Sequence, residues 1–583
     1  MVYLCGDFLF NCREGLKYDM NKLTKLFFER RGWDSVFLNS IHDSCSDVLL
    51  GIDDLAVRLD GLKSSNSKIV VLPDFDTDGI MSGVIAYAGL SEMGFNVSLY
   101  CPNAASGYGF DSSVIDEIVS QVPDVKAIIT GDVGATAHDG IRRAIDLGID
   151  MLITDHHKMD KPIDEFLSDV VVNPYRSDET YSHPDICGAY VLFQSLLHYA
   201  QTRYCIETVN NISNLAVFAG IGTVSDSMPV LYNNRLLVRE CISICRYLFE
   251  TDNLSNVLYG NSVAYRQALL GLRDILNIFV EDGKITKLSD IDETFFGYYL
   301  APMLNSIKRM GINSSIGFSI FFGSEPKESI SKLRDLNDER KQLTSKYYSE
   351  ILLADQPFAP NIYLTNDVPS GFLGLIATKL LQRNNHPCIV LSSLDNGEYS
   401  GSARSYSWYP LRSAVVSQGY SAAGHEVACG VSLNSLVDVM SLSKFLAKDI
   451  SDVAQRVGVV NVSDTCDLIL STFGCGDSDL DLDELWGFYH DLNKYRPFGS
   501  GFEAPKLLLR FDSQDVEDWT VLGSSKIHLK IYLKNNLVVY AWNQADMLTK
   551  IKRRKTIEMV GDFSVNSWQD VDTLGFRGEF VLS

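Results

Sequence analysis

The most chemically informative stretch of the sequence is a run of alternating carboxylates, Asp74, Asp76 and Asp78, followed by Gly79. Acids at every second position project to one side of an extended segment. Without a partner they would repel one another and raise their own pKa values. Hard oxygen ligands of this kind suit Mg²⁺ or Mn²⁺, so the run predicts a site for divalent cations. An EF-hand calcium loop can begin in the same way, but residues 80–85 supply no glutamate to complete one.

Further polar residues follow two later apolar runs. Asp132 comes after residues 125–130, and Asp155, His156 and His157 come after residues 151–154. In open α/β sheets, ligands bind outside the carboxyl ends of the strands. Any one of these residues could instead be a helix N-cap or part of a surface turn. Together they predict a two-metal hydrolytic site, with cations roughly 3.5–4 Å apart that clamp a phosphate and activate a water.

Apolar, β-branched runs alternate with helical stretches in this part of the chain, and residues 79–93 have the pattern of one such helix. This alternation predicts a parallel sheet covered by helices on both faces. The predicted strands are residues 68–72, 96–100, 125–130, 151–154 and 170–172.

The rest of the sequence divides into three further regions. Residues 185–355 are mostly helical in pattern, and the charged stretch 327–353 predicts a long exposed helix between domains. Residues 360–460 return to mixed α/β. Short strands separated by turns predict a small β-barrel at the end of the chain. These strands are residues 506–511, 527–533, 537–542, 556–562 and 573–582.

Size and charge limit the possible functions. A chain of 583 residues is too long for one compact core, so several domains are expected. Its 51 basic and 74 acidic residues give a net charge of −23, which argues against a non-specific nucleic-acid coat protein but not against a nuclease. No apolar run reaches the roughly 18–20 residues of a membrane span, and the first residues do not resemble a secretory signal. We therefore expect a cytoplasmic protein.

Several motifs resemble those of the DHH phosphoesterase superfamily: the Asp74–Gly79 run, Asp132, the Asp-His-His triplet 155–157, and residues 222–229, which contain Asp226. Segments 371–377, 401–405 and 423–425 resemble the associated DHHA1 domain, and 336–340 resembles its linking helix. Residues 497–505 resemble the start of a terminal OB-fold. This order is similar to that of the RecJ-type exonucleases, which degrade single-stranded DNA from the 5′ end.

The resemblance implies a metal centre with two divalent cations, Mn²⁺ preferred and Mg²⁺ also used. Asp132 would bridge the two cations. His157 would face the scissile phosphate and assist the leaving oxygen, and Asp155 would orient an imidazole rather than bind a cation. The implied metal ligands are Asp74, Asp76, Asp78, Asp132, His156 and Asp226.

The same resemblance implies residues that contact DNA. Ser402 and Arg404 would hold the 5′-terminal phosphate region, and His425 would face the active cleft. Asn305 and Arg309 would lie near the DNA path. In the barrel, Lys526 and Lys530 would contact the strand. Trp542 is expected in the core rather than as a stacking platform, and the basic run 550–555 is either a solvated turn or a DNA contact.

The implied fold class is α/β, with four domains. A parallel-sheet DHH domain with a helical N-terminal segment would cover residues 1–235, and a helical connector would cover residues 236–355. A mixed α/β DHHA1 domain would cover residues 356–460, and an OB-fold β-barrel would cover residues 461–583.

The expected activity is hydrolysis of single-stranded DNA to 5′-mononucleotides by a monomer, with a single-strand-binding protein or replication and recombination proteins as partners. Alternatives are a phosphodiesterase acting on RNA or short oligonucleotides, and an inactive DNA-binding scaffold. The family's usual Arg is missing after Asn103, Val133 replaces its usual Asn, and Met303 its usual Arg. These departures predict weak dependence on a 5′-phosphate and indicate a divergent member. One hypothesis is a viral or phage protein, which would act in the host cytoplasm.

Overall fold

The computed structural model describes residues 20–581, apart from residues 45, 103–108, 163–167, 169, 252–259, 459–461, 473–475, 479, 524–525, 543 and 569–570. The described residues form two compact units. The first unit contains Ser40–Ser345 together with Pro497–Phe502. The second unit contains residues 20–39, Lys346–Arg496 and 503–581.

Strands separate many of the helices along the chain. The first sixteen are α1 (Lys22–Arg31), α2 (Ser35–Ser40), α3 (Ile52–Ser64), α4 (Thr77–Glu92), α5 (Ser112–Gln121), α6 (His138–Asp146), α7 (Gly188–Arg203), α8 (Ile206–Asn214), α9 (Ala216–Ser225), α10 (Tyr232–Glu250), α11 (Val263–Glu281), α12 (Glu293–Phe295), α13 (Ala301–Leu304), α14 (Ser306–Met310), α15 (Ser315–Phe322) and α16 (Pro326–Leu353). A π-helical turn, Phe296–Leu300, connects α12 to α13. The remaining five are α17 (Ser370–Asn384), α18 (Leu411–Ser417), α19 (Leu436–Val457), α20 (Leu482–Lys494) and α21 (Leu548–Ile551).

The strands form three separate sheets. Those of the first sheet are β1 (Lys68–Pro73), β2 (Asn96–Leu99), β3 (Val125–Gly131), β4 (Asp150–Thr154) and β5 (Val170–Val172). Those of the second are β6 (Ile362–Thr365), β7 (Cys388–Ser393), β8 (Tyr399–Arg404), β9 (Ser421–His425) and β10 (Ala428–Leu433). Those of the third are β11 (Leu468–Ser471), β12 (Leu507–Asp512), β13 (Val516–Leu522), β14 (His528–Leu533), β15 (Val538–Ala541), β16 (Thr556–Trp568) and β17 (Val571–Phe580).

The first sheet has the order β2-β1-β3-β4-β5, and every neighbouring pair is parallel. The five predicted strands are therefore confirmed. β1, β3, β4 and β5 are almost wholly buried, which explains their continuous apolar sequences. Helix α4 is also buried on nearly every side, because it packs against both α7 and α9. The parallel arrangement directs the carboxyl ends of β1, β3 and β4 to one edge.

The second unit contains the other two sheets. One is mixed, with the order β6-β7-β8-β10-β9. The other has seven strands in the order β11-β12-β16-β17-β15-β14-β13. The predicted α/β fold class is confirmed, and the five strands predicted at the end of the chain are present. β11 and β13 were not predicted, and the structure adds them to the third sheet. In the described part of the chain, no helix has the length and hydropathy that a membrane span requires.

Pro497–Phe502, which we call the latch, packs within the first unit although it lies far from it in sequence. Arg235 is completely buried, and its Nη1 donates a 2.6 Å hydrogen bond to the carbonyl of the first latch residue. Its guanidinium carbon lies 4.9 Å from the ring centroid of Phe502. The backbone amide of Val230 donates to the carbonyl of Ser500 at 2.7 Å. The sequence predicted residues 497–505 as the start of the OB-fold, whereas the latch packs beside the segment that follows Asp226.

Candidate active site

The turn after β1 presents the first three carboxylates. Asp76 is the N-cap of α4, and its Oδ1 accepts hydrogen bonds from the amides of Asp78 and Gly79 at 3.1 and 3.2 Å. This geometry is common at helix starts because it satisfies otherwise unpaired amides. A Cβ at Gly79 would lie 2.4 Å from the backbone of Asp74. Glycine therefore allows the chain to fold tightly enough to bring Asp74 beside the helix start.

Asp132 directly follows β3 and adopts a left-handed backbone conformation with φ of +65°. Aspartate tolerates this conformation better than most residues. Its side chain is only 2% exposed, and its Oδ1 accepts no hydrogen bond from any residue that the structure describes. Nε2 of His156 lies 3.1 Å from this oxygen. A buried carboxylate oxygen without a donor is costly, so this atom suits a cation ligand.

Asp155 is buried at the end of β4, and both of its carboxylate oxygens accept hydrogen bonds. Its Oδ2 accepts from the amide of Ala135 at 2.7 Å. Its Oδ1 accepts from the amides of His156 and His157 and lies 2.9 Å from Nδ1 of His157. This carboxylate therefore fixes the orientation of the His157 ring. The predicted role of Asp155 as an orienting residue agrees with these contacts and stays a prediction.

Two helices bring the remaining ligands to the same place. At the start of α7, the amides of Gly188 and Ala189 donate to Asp78 at 2.7 and 3.2 Å. Asp226 is the C-cap of α9, and its Oδ2 lies 3.5 Å from Nε2 of His156. Nε2 of the same imidazole is 3.9 Å from Oδ2 of Asp78.

The predicted metal ligands converge into three overlapping groups, in each of which the candidate ligand atoms all lie within 4.8 Å of one another. Two of these groups share no residue, so together they can hold a pair of cations. The groups are Asp78, His156 and Asp226; Asp74, Asp76 and Asp132; and Asp132, His156 and His157. Asp132 belongs to two of them, which agrees with its predicted bridging role. An oxygen-rich set with one or two imidazoles suits divalent cations.

Burial and mutual repulsion raise the pKa values of most acids in the cluster. Burial, with the charge of Asp76 added to it, raises the pKa of Asp74 to about 7. Burial and neighbouring carboxylates also raise the pKa values of Asp78, Asp132 and Asp226. Such groups gain from a nearby positive charge, because it favours their ionised forms.

The two histidines differ in their electrostatic surroundings. Burial lowers the pKa of His156, which keeps its imidazole neutral and able to bind a cation. Burial also acts to lower the pKa of His157, but the hydrogen bond and charge of Asp155 more than offset this effect and raise the pKa to about 9. The His157 ring therefore carries a proton at neutral pH in the cation-free protein.

Sequence reasoning overlooked Lys308 on α14. Its Nζ lies 3.1 Å from Oδ2 of Asp76 and 5.1 Å from the ring centroid of Phe75. Although burial acts to raise the pKa of Asp76, the charge of Lys308 lowers it below the ordinary value. The sequence held a usable signal, because Lys308 lies three residues after the predicted site residue Asn305 and so falls on the same face of a helix.

Asn305 and Arg309 were predicted to lie near the DNA path. The Oδ1 of Asn305 instead accepts hydrogen bonds from the amide and the hydroxyl of Thr77, both at 3.0 Å. Asn305 therefore supports the turn that carries Asp76. Arg309 follows Lys308 and is half-buried. A DNA contact by either residue stays a prediction.

In the second unit, Ser402 and Arg404 lie two residues apart on β8. A Cβ at Gly374, in the first turns of α17, would lie 2.6 Å from Arg404 Nη2 and 3.5 Å from Ser402 Oγ. Arg404 and His425 both pair with Ala428 of β10, from its two sides. Directly paired residues of an antiparallel sheet project to the same face, so Ser402, Arg404 and His425 share one face of this sheet.

The third sheet carries the remaining predicted contacts. Lys526 is exposed in the turn before β14. Nζ of Lys530 lies 4.5 Å from the ring centroid of Tyr532 and 5.6 Å from that of Tyr540. Trp542 is 50% exposed, so the expected core position is wrong, and the stacking platform remains the open alternative. Asn103, where the missing arginine was noted, lies outside the described residues.

Two family profiles match this chain. The DHH family, N-terminal domain, matches residues 68–221, and the RecJ OB domain matches residues 476–579. Three of the most similar curated relatives are named single-stranded-DNA-specific exonuclease RecJ. The protein of Bacillus subtilis is 25% identical over 89% of this chain, which spans 62% of that relative's length. For Haemophilus influenzae the identity is 25%, over 83% of this chain and 82% of the relative. For the Thermus thermophilus protein the identity is 23%, over 89% of this chain and 69% of the relative.

Solved structures agree at the level of the fold. The crystal structure of RecJ in complex with Mn²⁺ from Thermus thermophilus has a TM-score of 0.66 and 20% identity, over 96% of this chain and 75% of that chain. A structure of exonuclease RecJ bound to manganese has a TM-score of 0.52 and 20% identity, over 71% of this chain and 98% of the other. The predicted resemblance to RecJ-type proteins of the DHH superfamily is confirmed.

Proposed function

We propose that this chain, a RecJ-type member of the DHH superfamily, is a metal-dependent exonuclease that hydrolyses single-stranded DNA from the 5′ end to 5′-mononucleotides. The observation that carries the proposal is the convergence of acids and imidazoles from four separate segments into groups that can hold a cation pair. The names of the curated relatives support the choice of substrate.

Each residue of the site has its own proposed role in the reaction. Divalent cations bound there supply Lewis-acid stabilisation of the phosphate and an activated water. Asp74, Asp76, Asp78, Asp132, His156 and Asp226 would hold the cations, with Asp132 as the proposed shared ligand. Asp155 holds the ring of His157, so that the protonated imidazole can donate its proton to the leaving oxygen. The proposed preference is for Mn²⁺, and structures of a similar protein with Mn²⁺ and with Mg²⁺ support both as candidates.

We assign recognition of the terminal phosphate to Ser402, Arg404 and His425. Their shared face supplies a hydroxyl, a guanidinium and an imidazole. Nη1 of Arg404 donates a 2.8 Å hydrogen bond to the carbonyl of Ala403. This bond fixes the guanidinium beside the start of α17. Amides at a helix start favour anions, and a guanidinium can hold a phosphate through two hydrogen bonds.

The outer face of β14 and β15 is the proposed platform for the bases of the strand. Residues 528, 530 and 532 alternate with buried neighbours on β14, so all three face outward with Tyr540 and Trp542. The rings of Tyr540 and Trp542 stack at 5.9 Å with an interplanar angle of 9°, and His528 packs edge-on against Trp542 at 4.9 Å. Exposed aromatic rings with an adjacent cation bind single strands without sequence preference.

We also assign this protein to the cytoplasm, as a monomer that works with single-strand-binding, replication or recombination proteins.

The test is digestion of end-labelled single-stranded DNA, duplex DNA and RNA in Mn²⁺, read by product size and polarity. We expect single-stranded DNA to be shortened from the 5′ end to mononucleotides. Asp132→Ala should abolish cleavage, by at least about a thousandfold, while binding of single-stranded DNA changes less than about threefold, because the bridging ligand is lost and the proposed binding surfaces remain.

The matched control is Asp124→Ala, which removes an exposed carboxylate before β3 and should leave both measurements unchanged. Cleavage by Asp132→Ala in Mn²⁺ would contradict the assigned centre. Faster digestion of RNA than of DNA would favour the alternative phosphodiesterase.

A further inference from the structure

Lys308 contacts only one of the two independent ligand groups. Its ammonium group lies 3.1 Å from Oδ2 of Asp76, a member of the Asp74, Asp76 and Asp132 group. The Asp78, His156 and Asp226 group instead has the Nε2 atom of His156 between its carboxylates. One ligand group therefore has an ammonium group against one of its carboxylates, whereas the other has an imidazole between its carboxylates.

Both carboxylate oxygens of Asp76 already have partners in the structure. Oδ1 caps α4 through the amides of Asp78 and Gly79, and Oδ2 faces Lys308. Oδ1 of Asp132, by contrast, accepts no hydrogen bond from the residues described here. A cation that uses Asp76 must therefore share Oδ2 with the ammonium group or displace it.

The surroundings hold Lys308 in this position. The side chain is 37% exposed, and its ammonium group lies over the ring of Phe75, which is itself buried. Three residues earlier, Asn305 is hydrogen-bonded to Thr77, so two side chains from one short segment grip the turn that carries Asp76. The ion pair between Lys308 and Asp76 is thus one of several contacts that join this segment to the turn that carries Asp76.

We propose that Lys308 makes the two cation positions unequal, by competing with the cation that binds Asp74, Asp76 and Asp132. This inference rests on the proposed metal-dependent function. The position at Asp78, His156 and Asp226 fills first and tightly. The position beside Lys308 fills second and weakly, because the incoming cation meets a positive charge at one of its ligands. Lys308 is a positioning residue in this scheme, since it acts through Asp76.

The experiment is a Mn²⁺ titration of the full chain, stripped of metal with a chelator, in the absence of DNA. Calorimetry gives the affinities, and the electron paramagnetic resonance signal of free Mn²⁺ gives the number of bound ions. We expect two ions per chain with affinities at least about tenfold apart. Lys308→Met should tighten the weaker affinity about tenfold and change the stronger one by a clearly smaller factor, because it removes the charge that pairs directly with Asp76 at almost constant side-chain size.

Two further variants separate charge from structure. Lys308→Arg keeps the positive charge, so its two Mn²⁺ affinities should differ as much as those of the wild type. Lys332→Met removes the same charge from α16, where Lys332 pairs with Glu328 at 2.7 Å, and should leave both affinities unchanged. Circular dichroism checks that each variant is folded.

The possible failures are distinguishable. If the wild-type chain binds no Mn²⁺, both the proposed function and this inference are wrong. If it binds two ions with equal affinity, or if Lys308→Met leaves the weaker affinity unchanged or weakens it, only the inference about Lys308 is overturned.

Discussion

At the scale of single residues, the candidate centre concentrates acids that destabilise one another in the absence of cations. Asp74 is buried beside Asp76, and its pKa rises to about 7 from an ordinary value of 3.8. Because the folded state holds this proton more tightly than the unfolded state does, the resulting stabilisation is complete below pH 3.8. It is lost as the pH rises through about 7. At neutral pH the cation-free protein therefore carries an unfavourable buried charge.

Asp74→Asn should remove this penalty. Without cations, the variant should be more stable than the wild type at pH 8, on the order of 2 kcal/mol in free energy of unfolding, and should lose this advantage at low pH. With Mn²⁺ the order should reverse, because a bound ion stabilises the ionised Asp74. Thermal unfolding at several pH values, with and without Mn²⁺, measures both effects.

The control for this comparison is Asp124→Asn, which changes an exposed acid and should follow the wild type at every pH. A cation-free Asp74→Asn protein that is less stable than the wild type at pH 8 would contradict the argument.

Most site residues could be predicted because they directly follow strands or belong to a compact motif. The partners that tune them could not be predicted in the same way. Lys308 and Asp76 are 232 positions apart in the sequence, and no periodicity connects them. Asn305 was assigned to the DNA path, yet its observed partner is Thr77. Such contacts arise only when α14 packs against the start of α4.

At the scale of elements, glycines allow α7 and α9 to approach two of the candidate ligands, Asp132 and Asp78. A Cβ at Gly188 would lie 2.5 Å from the Cβ of Asp132, and one at Gly222 would lie 2.3 Å from Oδ1 of Asp78. Real Cβ atoms do not approach other atoms so closely. These two positions therefore need glycine for close packing rather than for an unusual backbone conformation.

Gly222→Ala should displace the carboxylate of Asp78. We expect at least about tenfold weaker Mn²⁺ binding together with a loss of about 1–3 kcal/mol of stability from overpacking. Calorimetry with Mn²⁺ and thermal unfolding measure the two effects separately.

Gly61→Ala is the matched control, because a Cβ at this position of α3 meets no atom within 4 Å. It should stabilise the protein by about 0.5–1 kcal/mol and leave Mn²⁺ binding unchanged. Unchanged Mn²⁺ affinity in Gly222→Ala would show that Asp78 is not held as the structure indicates.

The success of strand prediction also has a physical reason at this scale. β1, β3 and β4 are buried over most of their length, and their sequences are correspondingly dominated by apolar residues. β13 has only partly buried or exposed residues, including two acids within Val516–Leu522. Its place in the sheet depends on pairing with β14 rather than on its own sequence, which is why the sequence did not reveal it.

At the scale of the whole molecule, the latch contributes to a compact unit that is otherwise encoded before residue 346. Besides its contacts with Arg235, it receives support from α12, where Oε1 of Glu293 accepts from the amide of Phe498 at 3.0 Å. Phe498 and Phe502 stack with ring centroids 5.4 Å apart. Sequence analysis placed this segment with the OB-fold because its observed partners are hundreds of residues away.

Phe502→Ala should cost about 3–5 kcal/mol of stability, since Phe502 is completely buried and its loss leaves a cavity beside Arg235. Thermal unfolding of the full chain measures the change. Tyr298→Ala is the control in the same unit, because Tyr298 is 77% exposed and its removal should change stability by less than about 1 kcal/mol. Equal effects of the two substitutions would mean that the latch does not stabilise the unit.

The latch also determines how this chain can be divided. The chain passes between the two units at Asn39–Ser40, Ser345–Lys346, Arg496–Pro497 and Phe502–Glu503. A shortened protein that stops before Pro497 would therefore leave the guanidinium of Arg235 facing solvent. The complementary C-terminal fragment would carry with it a hexapeptide that its own fold does not use. Independent expression of the first unit would accordingly require that hexapeptide to be grafted back or added as a free peptide.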